Sequence, residues 1–217
     1  MTDVAPHWPV EFARVIACIH CTTSQCPKLL RDELENIPQP GYIGSGYGKT
    51  RLLLVGQNPG VGTVGLAARD RLYTAALREV VRSPSLPAYQ SLCAVMDEFV
   101  PSWPVHGNYF PLLECGLTLQ DIAYCNTVRC RTANNALPSG RQARNCIDRH
   151  FRHWLELLEP RAVVFIGKWA SDNCSAITEK QGIPSAFMNR QRSLPGFERD
   201  RNRREVVAMV KAAIKSD

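Results

Sequence analysis

Short unbroken apolar runs alternate along this chain with stretches in which apolar residues recur every three or four positions. The runs are Leu52–Val55 and Ala162–Gly167, with Ile122–Val128 a β-branched and aromatic strand between them. Runs of this length, rich in Val, Ile and Leu and bounded by turn residues, suit strands of a parallel sheet covered on both faces. Helical periodicity marks Leu66–Val81 and Tyr89–Phe99, and it returns over Asn145–Glu159, which ends at Pro160. Glu11–Ile19 reads as a short helix. A further helix follows Gly167, and the chain closes on one with Val206, Met209, Val210 and Ala213 along one face. Residues 22–50, with three prolines and four glycines, read as a long surface loop, and residues 182–203 as an Arg-rich loop. The pattern predicts an α/β fold: one three-layer αβα domain over residues 1–217. It would have a central, mostly parallel four-stranded sheet and an N-terminal arm.

The first strand ends abruptly in Gly56-Gln57-Asn58-Pro59-Gly60. Gly56 and Gly60 permit a tight turn and close backbone approach, and Pro59 fixes one φ angle. Gln57 and Asn58 are thereby held at the carboxyl end of a strand, where open α/β sheets place their ligands. GYGKT at Gly46–Thr50 looks like the end of a phosphate-binding loop. That pattern needs a glycine where Ile43 stands, and the segment precedes a strand instead of following one. A nucleoside-triphosphatase is therefore excluded.

Composition narrows the picture. With 45% hydrophobic residues in 217, the chain can build a sizeable core, and no apolar run approaches a membrane span. The first residues lack a basic segment followed by an apolar core, so a cytoplasmic protein is expected. A net charge of +6 favours a polyanionic partner such as DNA. Asn189–Asp217 carries eight Lys/Arg against four Asp/Glu, which concentrates that charge near the C-terminus. Nine cysteines are many for a reducing compartment. Cys93, Cys115 and Cys174 lie in apolar surroundings and read as buried thiols. Cys18 and Cys21 form a C-x2-C pair, and Cys130 and Cys146 follow far downstream. Together these four can make a thiolate site for zinc or an iron–sulfur cluster, with Cys26 as a substitute ligand. Composition does not choose between the two metals.

The ordered combination CIHC at 18–21, GYGKTRLLLVGQNPG at 46–60, CNTVRCR at 125–131, Cys146 and PRAVVFIGKWA at 160–170 resembles the uracil-DNA glycosylase superfamily. The likeness covers about residues 15–215 and is nearest to the iron–sulfur family four. It implies a [4Fe–4S] cluster on Cys18, Cys21, Cys130 and Cys146 with a structural role. It also implies a monomeric enzyme that excises a modified or damaged base from DNA and has no membrane partner. Where family four carries an acidic residue, this chain has Gln57. Asn58 matches the Asn of G-I-N-P-G in the mismatch-specific uracil and thymine glycosylases, which positions the attacking water. Asn126 matches the family's base-reading Asn, and Gly56, Pro59 and Gly60 would frame the base.

Two departures bear on specificity. The family's His-Pro-Ser motif falls on Gln191-Arg192-Ser193, and no histidine occurs after His153. Arg192 or Arg190 would then stabilise the anionic leaving base. The family's G-R-P-F segment is absent, leaving Phe99, Trp103, Tyr109 and Phe110 as aromatics to stack on the base. Leu194 would wedge into the duplex beside Ser193, with Arg199 and Arg201 on phosphates. These departures open the substrate range to hypoxanthine, mismatched bases or hypermodified phage pyrimidines. The rival readings are a non-catalytic DNA-binding or damage-sensing relative and an unrelated αβα hydrolase with zinc.

Overall fold

The computed structural model describes residues 7–21, 26, 28–31, 36–60, 67–99, 110–189 and 195–215. The chain divides into two compact units. One comprises Ile43–Gln57, Ser102–Thr127 and Phe151–Asp217, and it holds the sheet. Its strands are β1 (Tyr42–Ile43, whose first residue belongs to the other unit), β2 (Leu52–Gly56), β3 (Ile122–Asn126), β4 (Ala162–Ile166) and β5 (Ser185–Met188). Their order is β1-β3-β2-β4-β5. The β3/β2, β2/β4 and β4/β5 pairings are all parallel. Every residue of β2 and β4 is buried, which is why these strands read as unbroken apolar runs.

Alternation along the strands sorts the core. Leu52, Leu54, Ile122, Val164 and Ile166 join Phe110 and Leu112 in one apolar cluster. Val206, Val207 and Val210 of the closing helix cover it. The alternate residues Leu53, Val55, Val163 and Phe165 are equally buried. A helix at Lys168–Lys180 packs on β4 and β5 and buries Ala170, Cys174 and Ile177. Gly167 turns from β4 into that helix at φ +95°, a conformation that favours glycine.

The other unit comprises Met1–Tyr42, Asn58–Pro101 and Val128–His150. Helices α1 (Trp8–Ile16), α3 (Ala67–Arg82) and α4 (Leu86–Phe99) pack on one another; the short α2 is Tyr47–Thr50, in the sheet unit. Phe12 meets Tyr89 edge-on, with ring centroids 5.0 Å apart. α5 (Gly140–Cys146) is capped by Ser139, whose side chain accepts from the Gln142 amide at 3.1 Å. It leads into a π-helical stretch, Ile147–Phe151, and then α6 (Arg152–Leu158). The remaining helices are α7 (Lys168–Lys180) and α8 (Gly196–Lys215).

Four expectations are corrected. Residues 22–50 are not one loop, because β1 and α2 lie within them. The sheet has five strands, not four. Residues 182–203 are not one loop, because β5 lies at their start and α8 begins at Gly196. β5 escaped notice because only Met188 is buried in it. The charged run after Pro195-Gly196 is helical: Arg, Glu and Asn follow without a breaker, and Arg201 sits 3.9 Å from Glu205 at helical spacing. The helix expected at Asn145–Glu159 is split by the π-helical stretch. Among the described residues no helix is long and apolar enough to cross a membrane.

Candidate active site and cysteine cluster

Gly56 ends β2 directly opposite Asn126 of β3. A Cβ at Gly56 would collide with Asn126 Oδ1 and with the Tyr124 hydroxyl. The absence of a side chain therefore makes room for a specific pair: Tyr124 donates its hydroxyl to Asn126 Oδ1 at 2.8 Å. Tyr124 and Asn126 are two apart on one strand and share a face. Asn126 is only 5% exposed. The bond fixes which end of its amide is which, so Nδ2 is the end presented as a donor.

Asn58 follows two residues after Gly56. Its Nδ2 donates to Thr132 Oγ1 at 3.1 Å and to the Pro59 carbonyl at 3.3 Å. Thr132 is fully buried and donates its own hydroxyl to the Ala136 carbonyl at 2.6 Å. The amide of Asn58 is thus oriented by its nitrogen, with Oδ1 turned the other way. Pro59 is buried and Gln57 half-buried. A Cβ on Gly60 would lie 3.6 Å from Asn135 Oδ1, an ordinary contact.

Thr132 belongs to a segment, Arg129–Ala133, to which the N-terminal arm is stitched. Leu30 N–H donates to the Arg131 carbonyl, Ala133 N–H to that of Lys28 and Gln39 N–H to that of Arg129. Leu29 and Thr132 form an antiparallel bridge. Arg129 is buried, with its guanidinium on the Pro40 carbonyl. Arg131 pairs with Asp70 of α3 at 3.0 Å.

The cysteines of arm and segment share one neighbourhood. Arg31 reaches the Cys18 carbonyl, the Cys21 carbonyl at 3.4 Å and Cys130 Sγ at 3.5 Å. The Cys21 and Cys146 thiols hydrogen-bond to each other. That bond is the main cause holding Cys21 down to about 6 and one that pushes Cys146 up. Asn145 Nδ2 adds a contact to Cys21 Sγ at 3.6 Å. Burial pushes Cys130 up to about 11. Cys26 packs in the same buried group as Cys21, Leu29 and Cys130, with its thiol donating to Gln142 Oε1 at 2.7 Å. Cys93 lies on α4 beside Tyr89, and Cys174 on α7 beside Thr127. All nine cysteines are unpaired by disulfides. Among the described residues no group of three or more His, Cys, Asp or Glu side chains is placed to hold a metal ion.

Of the expected DNA contacts, Arg199 and Arg201 lie exposed on the first two turns of α8. Arg203, one turn on, is paired with Glu114, whose carboxyl that guanidinium holds below the usual carboxylate range. Phe110 is fully buried in the apolar cluster beneath β2 and β3, which is a packing position. Trp103, Tyr109, Arg190, Gln191, Arg192, Ser193, Leu194 and the side chain of Phe99 lie outside the described residues. Sequence reasoning missed Thr132, Tyr124 and Arg31. Tyr124 had a signal: a hydroxyl two residues before Asn126 on a strand must share its face.

The family model described as the uracil DNA glycosylase superfamily matches residues 43–211. Cys130 and Cys146 fall inside the matched region, and Cys18 and Cys21 precede it. No curated protein matches the chain.

Proposed function

Because the chain belongs to the uracil DNA glycosylase superfamily, we propose that it hydrolyses the N-glycosidic bond of a modified or damaged base flipped out of DNA, leaving an abasic site. The observation that carries this reading is the orientation of Asn58, with Nδ2 fixed on Thr132 and Pro59. Glycosidic cleavage passes through an oxocarbenium-like state. Asn does not titrate near neutrality and is no general base, but its Oδ1 can hold a water against the anomeric carbon while the base departs as an anion. Asn126 reads the base edge, its Nδ2 donating to a carbonyl of the base. Gln57 stands where family four has an acid, so water positioning falls to Asn58. Gly56, Pro59 and Gly60 shape the turn, and Arg192 or Arg190 supplies charge to the leaving base. A cytoplasmic monomer is the setting this reading expects.

A [4Fe–4S] cluster on Cys18, Cys21, Cys130 and Cys146 belongs to the same proposal. What supports it is the shared neighbourhood: Arg31 touches the Cys18 and Cys21 carbonyls and Cys130 Sγ, and the Cys21 and Cys146 thiols hydrogen-bond to each other. The cluster's Fe–thiolate bonds would tie the arm to the Arg129–Ala133 segment. Freshly purified protein should be coloured and contain iron and sulfide; colourless protein holding zinc would overturn the cluster.

The test of function is abasic-site formation on oligonucleotides carrying uracil, hypoxanthine, mismatched thymine or hypermodified pyrimidines, with Asn58→Ala as control. The lack of any histidine after His153 favours a second reading, a damage-sensing relative that binds without turnover. Tight binding to one modified duplex without base release would establish it.

A further inference from the structure

A cavity of about 490 Å³ opens in the helical unit, lined by Arg14, Cys18, Ile19, His20, Arg149 and His150. Among the described residues that line it none is acidic, and Cys18 is the thiol proposed above as a cluster ligand. The volume lies in the range of small-ligand pockets, roughly 300–1,000 Å³. Arg14 stands near the end of α1, while Arg149 and His150 sit on the π-helical stretch. Such stretches give up regular helical hydrogen bonding and recur at functional sites.

The charge in this cavity has to be weighed against its surroundings. Glu11 lies 3.2 Å from Arg14 and offsets part of its charge. The carboxyl end of α1 contributes about half a negative charge. Arg14 and Arg149 are both exposed. Arg31, held against the cysteines, is not among the lining residues, so Arg14 and Arg149 are the guanidiniums that line the cavity. Guanidinium forks match phosphate oxygens in geometry as well as charge. Ile19, 82% exposed at the lip, offers an apolar contact of the kind a sugar or base makes beside its phosphate.

We infer that this cavity binds a phosphate group, and that the phosphate is one of a DNA strand passing along the arm. The DNA source rests on the glycosylase reading; the phosphate chemistry does not.

The test uses the full chain and two probes, inorganic phosphate and a labelled unmodified duplex. The Arg14→Ala/Arg149→Ala double variant is compared with the unaltered protein after matching their thermal midpoints in chloride. Phosphate should raise the midpoint of the unaltered protein above chloride at equal ionic strength, and not that of the variant. The slope of log affinity for the duplex against log salt should fall by about two in the variant, because two phosphate contacts are lost. A lost phosphate effect with an unchanged slope would support the phosphate site and overturn DNA as its source. If neither quantity moves, the inference fails. Base release by the unaltered protein is scored separately, so a DNA contact without turnover would overturn the enzyme reading alone.

Discussion

Asn58 is held by Thr132: its Nδ2 donates to the threonine Oγ1 at 3.1 Å, and that hydroxyl in turn donates a hydrogen bond to the Ala136 carbonyl at 2.6 Å. The residue proposed to position water is therefore oriented by a buried hydroxyl two positions after Cys130. Thr132→Val keeps the shape and removes the bond. Misplacing a catalytic group by about an ångström costs on the order of a hundred-fold in rate. We expect kcat to fall roughly ten- to a hundred-fold with duplex affinity unchanged, and Thr132→Ser to restore most of it. Equal losses in Val and Ser variants would make Thr132 a packing residue only.

Asn58→Ala removes the group that acts on the water. A contribution made mainly in the transition state lowers kcat and leaves binding nearly intact. Single-turnover base release alongside anisotropy-based affinity separates the two. Parallel losses in both would mark Asn58 as a ground-state contact with the substrate.

At the end of β2 the constraint is space. Gly56→Ala places a methyl against Asn126 Oδ1 and the Tyr124 hydroxyl. Overpacking of this kind costs about 1–3 kcal/mol. Base release should suffer beyond that loss of stability. Tyr124→Phe tests the pair differently: the fold should survive at a cost of about 1 kcal/mol, while Asn126 loses the bond that fixes its amide. Discrimination between keto- and amino-bearing bases should narrow. Unchanged base preference in Tyr124→Phe would show that Asn126 is oriented without it.

Cys21→Ser or Cys130→Ser should lower thermal stability more than turnover of the remaining folded protein, because a bound cluster would be a long-range crosslink. Iron content per chain should fall in step. Cys93→Ser, on α4, should leave iron content unchanged. Iron retained in the Cys130 variant would remove that residue from the ligand set.

On α8 the arginines should not be equivalent. Arg199→Ala and Arg201→Ala are each expected to reduce the salt slope of duplex binding by about one, alike for all sequences. Arg203 is engaged by Glu114, so Arg203→Ala should change it least. A larger effect from Arg203 than from Arg199 would show that DNA displaces Glu114.

The parts of this fold that were legible in the sequence are those whose burial is two-sided. β2 and β4 are buried at every position, so they appear as bare apolar runs. β5 has one buried residue and β1 only two residues in all, so neither leaves a pattern. α8 hid its first turns because arginine and glutamate there look alike in a helix and in a solvated loop. Asn58 and Asn126 could each be named from a motif. Thr132 could not, because its importance comes from a hydrogen bond across 74 positions of sequence. Arg31 was hidden similarly, in an arm without periodicity.

The stitching of Lys28–Leu30 onto Arg131–Ala133 bears on where this protein can be cut. The region shared with its superfamily starts at Ile43, and a chain trimmed there would keep β2 to β5 intact. It would also strip the Arg131 carbonyl and the Ala133 amide of their partners, beside the threonine that steers Asn58. The boundary of inherited similarity is thus not the boundary of cooperative folding. Hydrogen exchange offers a direct reading: the amides of Leu30 and Ala133, distant in sequence and outside the sheet, should open together as a single unit.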